Sequence, residues 1–235
     1  ARFYDPVTLR FTTPDPMAEK YSSTSPYAYV LNSPVNAIDP NGMSTDWVEK
    51  ENGEVYWDEN ATSQSTTKEG EIYLGKNVII EEGASVDNEG NVDEGINEAD
   101  ISLYTPENKE GATATMKGNT VSADGDKYAT VAAGTMEGEK TTYKDTPAIL
   151  INDGGKVPTT KPNPNPESKY FGQKNADEIY LHAGNKNYER LTTSEGNAIS
   201  KGCQTGSSGN RAAYLKFMNK VPDNTKIEIV LRRNK

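Results

Sequence analysis

Apolar positions in this chain come in short alternating runs set between turn formers, the pattern of half-buried strands rather than long helices. Residues 101–104, 112–116, 127–133 and 148–151 read as strands, with turns at Gly118-Asn119, Asp124-Gly125 and Asp153–Gly155 between them. Residues 158–166 carry four prolines and read as an extended loop. A short strand over 178–181 then delivers His182. Helical spacing occurs once, with Tyr214, Phe217, Met218 and Val221 on one face and Pro222 as the stop. Residues 227–231 close the pattern as a strand. The series predicts a mainly β, antiparallel, sandwich-like domain over residues 99–235, with one short helix following Cys203.

The preceding region is different. Residues 44–98 hold three short apolar pieces, at 55–57, 72–74 and 78–80, among many acidic positions. They read as hairpin strands within an acidic tether or a small β-element. Residues 44–100 carry 16 acidic residues against 3 lysines, whereas residues 181–235 carry 10 basic residues against 4 acidic ones. This asymmetry fits a solvated acidic region beside an ordinary domain end, or a mildly cationic site for an anionic substrate. The net charge of −10 argues against general nucleic-acid binding. With 33% hydrophobic residues and a mean hydropathy of −0.81, the core is small for the length. No apolar run is long enough for a membrane span, and no signal peptide is visible.

Chemistry converges on two singular residues. His182 and Cys203 are the only histidine and cysteine. A lone cysteine excludes an internal disulfide. It is either a small buried hydrophobe or a nucleophile, and a thiol attacks well only as thiolate, with imidazole the usual proton acceptor. Gly202, just before Cys203, permits close backbone approach, so that neighbouring N–H groups can face a developing oxyanion. Lys201 adds a positive charge that favours thiolate.

The first 43 residues carry Arg-Phe-Tyr-Asp-Pro at 2–6, Pro-Asp-Pro at 14–16, Pro-Tyr-Ala-Tyr at 26–29, Asn-Ser-Pro-Val-Asn at 32–36 and Ile-Asp-Pro-x-Gly at 38–42. This ordered set closely resembles the end of the Rhs repeat-associated core. The resemblance implies that residues 1–43 are a β-rich core remnant belonging to a large β-cocoon, with a variable toxin domain after it. It also implies self-cleavage after Met43 by two aspartates, here Asp15 and Asp39. Met17 and Ala18 follow Pro16 where many relatives repeat x-Gly. The chain opens at Ala1 inside this pattern, which reads as the C-terminal piece of a longer protein.

The order strand, His182, loop, Ser-x-Gly-Cys at 200–203, helix, final strand resembles the catalytic motif of the L,D-transpeptidases. The resemblance implies Cys203 as nucleophile, His182 as its base, the backbone of Ala183 as the group orienting the ring, and Ser200 and Gly202 as supporting motif residues. Lys201, Gln204 and Thr205 are the implied substrate-binding positions. Lys201 stands where many members have a second histidine, and Thr205 where many have arginine or asparagine. The combined expectation is a secreted antibacterial Rhs-type effector, acting in the periplasm of a target cell on peptidoglycan tetrapeptide stems by L,D-carboxypeptidase or D-amino-acid exchange chemistry. A cognate immunity protein is the implied partner, and neither a metal nor an organic cofactor is required. The alternatives are a cysteine peptidase or amidase with another target, and a non-enzymatic module that binds the cell wall.

Overall fold

The computed structural model describes residues 3–14, 25–29, 46–91, 99–122, 124–183, 202–206 and 211–233. The chain divides into two compact units, Ala1–Gly75 and Lys76–Lys235.

In the first unit, β1 (Tyr4–Asp5) and β2 (Arg10–Phe11) form a small hairpin. The Asp5 carboxylate organises its turn, accepting bonds from the Val7 N–H at 2.9 Å and the Thr8 hydroxyl at 2.8 Å. Tyr4, Phe11 and Tyr29 cluster their rings beside it. The strands β3 (Asp46–Glu49), β4 (Val55–Asp58) and β5 (Ile72–Gly75) make an antiparallel sheet in the order β4-β3-β5. Trp47 is fully buried and meets Trp57 edge-on at 5.3 Å. The acidic stretch therefore contains a folded β-element. Its carboxylates stay outside this core or find partners: the Tyr56 hydroxyl bonds Glu71 at 2.9 Å, and the Lys68 ammonium reaches Asp58 at 3.3 Å.

The second unit is a closed barrel of eight strands. These are β6 (Val78–Gly83), β7 (Ala99–Tyr104), β8 (Ala114–Asn119), β9 (Gly134–Tyr143), β10 (Thr146–Ile151), β13 (Tyr180–Ala183), β14 (Gln204–Gly206) and β15 (Lys226–Arg233). A two-stranded ribbon of β11 (Val157–Pro158) and β12 (Asn175–Ala176) lies between β10 and β13 in sequence. Around the barrel the order is β10-β13-β14-β8-β7-β6-β15-β9, and β9 pairs back to β10. Two pairings are parallel, β13 with β14 and β15 with β6. Alternation builds the core. Ile101 and Leu103 on β7, and Ile227, Ile229 and Leu231 on β15, are buried while the residues between them are more exposed. The helix α1 (Arg211–Met218), the one α-helix among the described residues, packs against β8 and β10, burying Tyr214, Phe217 and Met218. The Tyr214 hydroxyl donates to the Pro147 carbonyl at 2.6 Å.

The mainly β character and the helix after Cys203 agree with the sequence. The sheet, however, closes into a barrel rather than a sandwich. Closure depends on β15 inserting between β6 and β9 and on β14 lying parallel to β13, pairings that local alternation does not report. Val78–Gly83, grouped above with the acidic segment, is a barrel strand. The stretch 127–133 forms only a bridge, Val131 to Thr159, whereas the unexpected β9 is the longest strand among the described residues. Its two fully inward positions are Met136 and Gly138, too little apolar signal to stand out. The turn expected at Gly118-Asn119 lies inside β8.

Candidate active site

His182 is delivered by a strand whose faces are sorted. Leu181 points into the core and is fully buried, leaving Tyr180 and His182 on the opposite face, both half-buried. The chain enters this strand through Glu178, which adopts φ 52°, and Ile179, whose carbonyl accepts from the Ile151 N–H. The imidazole Nδ1 lies 2.7 Å from the Ala183 carbonyl oxygen. A carbonyl only accepts, so Nδ1 carries the proton and Nε2 keeps its lone pair. The backbone of Ala183 thus fixes a tautomer suited to accepting a proton at Nε2.

An aromatic stack supports the ring. Tyr143 lies 4.7 Å from the His182 ring and 4.8 Å from Tyr180. Tyr143 ends β9, and a two-residue turn, Lys144-Asp145, leads directly into β10. Both turn residues have positive φ, 49° and 60°, as the tight type I′ hairpin turn requires. The Lys144 ammonium sits over the Tyr143 ring, 5.1 Å from its centroid.

Cys203 immediately precedes β14. The parallel register sets Leu181 opposite Gln204, His182 opposite Thr205 and Ala183 opposite Gly206. Cys203 therefore lies two residues upstream of the residue facing His182, on the adjacent strand. Such diagonal neighbours are about 8 Å apart between Cα atoms, within reach of side chains that lean toward each other. The thiol makes a long 3.9 Å contact with the Glu178 carbonyl, and the Tyr180 N–H donates toward its sulfur.

Burial pushes the Cys203 thiol up; the Tyr180 N–H and the Lys144 ammonium oppose that rise. Burial also pushes the His182 imidazole down, the Ala183 bond opposing and Lys144 adding to the effect. The resting pair is thus neutral thiol and neutral imidazole. Both shifts oppose moving the proton from sulfur to Nε2, whereas the Lys144 ammonium favours the thiolate.

The other candidate residues divide. Gly202 is buried with φ 113°, and a Cβ there would come 3.2 Å from the Ala129 carbonyl, so glycine serves both conformation and space. Thr205 is buried opposite His182. Gln204, expected at the substrate surface, is instead fully buried and bonds Glu81 inside the barrel, so no substrate reaches it. Ser200 and Lys201 lie outside the described residues, as do Asp15, Asp39 and Met43. Among the described residues no group of three or more His, Cys, Asp or Glu side chains gathers to hold a metal. Tyr143, Lys144 and Tyr180 went unnoticed in the sequence. A tyrosine followed by a Lys-Asp turn between two strands was the available signal for the first two. No family model matches the chain, and neither do any of the curated proteins or solved structures with which it was compared.

Proposed function

We propose that the barrel unit is a cysteine acyl-transfer enzyme, and that its substrate is the tetrapeptide stem of peptidoglycan. The observation that carries this reading is the His182 tautomer: its Nδ1 proton is held by the Ala183 carbonyl, and its strand pairs with the one that Cys203 immediately precedes. In the proposed reaction Nε2 takes the thiol proton and the thiolate attacks the amide carbonyl carbon between diaminopimelate and the terminal D-alanine. A tetrahedral oxyanion forms near the backbone at Gly202. Its collapse breaks the C–N bond, and the imidazolium returns the proton to the leaving amine. The resulting thioester passes its acyl group to water or to the amine of a D-amino acid. The exposed Lys144 supplies a positive charge beside the pair, suited to an anionic stem.

The Rhs-like opening motifs and the Ser-x-Gly-Cys element at 200–203 support placing this chemistry in a secreted antibacterial effector. It would work in the target periplasm, with a dedicated immunity protein and release by self-cleavage after Met43. The test is incubation of the full chain and its Cys203→Ala variant with disaccharide-tetrapeptide, read by mass spectrometry. Loss of D-alanine, or its replacement by an added D-amino acid, is expected only with Cys203 present. Unchanged muropeptide with an active, folded wild type would discard the peptidoglycan substrate.

One observation favours the non-enzymatic reading, a cell-wall-binding module. Burial raises the thiol pKa, as for an inert core cysteine. Alkylation of Cys203 at neutral pH separates the two. A rate that collapses in His182→Ala supports the enzyme, whereas a slow rate indifferent to that change supports the module.

A further inference from the structure

The barrel interior holds a polar pair with no part in the site described so far. Glu81 on β6 and Gln204 on β14 are both fully buried, and the Gln204 side-chain amide donates to Glu81 Oε2. Two strands, β7 and β8, separate β6 from β14 around the wall, so this bond crosses the interior. Each side chain keeps one further oxygen in the core. Glu81 Oε1 and Gln204 Oε1 are both buried and have no hydrogen-bond partner. Two acceptors cannot bond one another, and an ionised carboxylate would leave both orphaned beside a buried charge.

One proton resolves this. Placed on Oε1 of Glu81, it can be donated to Gln204 Oε1, while Gln204 Nε2 donates to Glu81 Oε2. The result is a reciprocal acid–amide pair with both orphans satisfied. We propose that Glu81 is held as the neutral carboxylic acid, paired with Gln204, and that this pair anchors the start of β14 and so positions Cys203. The next residue back from Gln204 is Cys203 itself. The strand is only three residues long, with two register partners on β8 and three on β13, so an internal anchor has a large share in placing it.

The surroundings agree. Burial pushes the Glu81 carboxyl up to about 8, against an opposing pull from Arg233 on β15. The Arg233 guanidinium spends its donors on the carbonyls of Val131, Ala84 and Thr120. On the outer face Arg232 pairs with Glu82, and Asp100 of β7 pairs with Lys117 of β8. The titratable groups along the adjoining strands include Cys203, just before β14, and Tyr180 and His182 on β13.

The protonated pair stands whether or not Cys203 attacks an amide. Its service to the thiol rests on the acyl-transfer reading, and alkylation by iodoacetamide reports the thiol without any peptidoglycan substrate. The sign of the pH effect follows from the raised pKa. In the unfolded chain Glu81 ionises near 4.5, whereas in the fold it keeps its proton to about 8. Its contribution to stability is complete below 4.5, falls as pH rises between the two values and is constant above them.

The experiment compares the full-length wild type with Glu81→Gln, whose amide can form the same two bonds without a proton. The ratio of their unfolding constants, from urea titrations at pH 5 to 9, is expected to grow in the wild type's disfavour by up to about tenfold per pH unit until near pH 8, then level off. The wild type at pH 6 should also show a carboxylic-acid infrared band that Glu81→Gln lacks. Cys203 alkylation should match in the two proteins at pH 6 and diverge above pH 8. A pH-independent ratio together with absence of the band would overturn the protonated pair. Matching alkylation at every pH, with ratio and band as expected, would overturn the positioning role alone.

Discussion

At the scale of single residues, the candidate chemistry depends on three groups with opposed effects on charge. Burial keeps the Cys203 thiol and the His182 imidazole neutral, and the Lys144 ammonium biases the pair toward thiolate by lowering both pKa values. Lys144→Met removes that charge and leaves the apolar stem. The thiol pKa then rises further, so the onset of Cys203 alkylation should move to higher pH, and the His182 titration followed by NMR should move up with it. An alkylation profile that stays in place would show that the ammonium does not act on the sulfur. The sequence singled out His182 and Cys203 as the only residues of their types, and the resemblance implied the Ala183 backbone contact that the His182 ring makes. Lys144 was not legible there, since only the hairpin turn brings it beside residues 38 and 59 positions away. Glu81 was hidden more deeply. It lies 123 residues from Gln204 and is followed directly by Glu82, which pairs with Arg232 on the outer face.

At the scale of elements, the short strands are set by what their neighbours leave room for. Gly138, midway along β9, faces the interior, where a Cβ would meet Ile229 Cδ1 at 2.6 Å and Ile149 Cγ2 at 2.7 Å. Those isoleucines belong to β15 and β10, the strands on either side. A residue that looks like a strand breaker is thus where two branched side chains fill the core. Gly138→Ala overpacks this layer and should cost about 1–3 kcal/mol in urea-induced unfolding. A neutral effect would mean that the isoleucines repack freely. The same crowding explains why β9 escaped notice: its inward positions are a methionine and a glycine, with Glu and Thr around them. The helix, by contrast, announces itself through Tyr214, Phe217 and Met218 at the spacing its buried face requires.

At the scale of the whole barrel unit, closure is completed by the last strand. β15 pairs parallel with β6 and antiparallel with β9, so two neighbours about 150 and 90 positions upstream in sequence meet only through it. It also contributes Ile227, Ile229 and Leu231 to the core. Burying three such side chains is worth roughly 5–9 kcal/mol, comparable to the whole net stability of a typical domain. Without β15 the barrel would open between β6 and β9 and expose their unpaired backbone groups as two free edges. Arg233 would go too, and with it the bonds to the carbonyls of Val131, Ala84 and Thr120. A chain ending at residue 225 should therefore lose the cooperative urea transition of the full-length barrel rather than show a lowered midpoint. The reactivity of Cys203 should approach that of an unfolded thiol, because β14 and β13 keep their register only in a closed wall. A truncated chain with a sharp transition and a protected thiol would show instead that β6 to β14 form a self-sufficient open sheet, with β15 merely added to its edge.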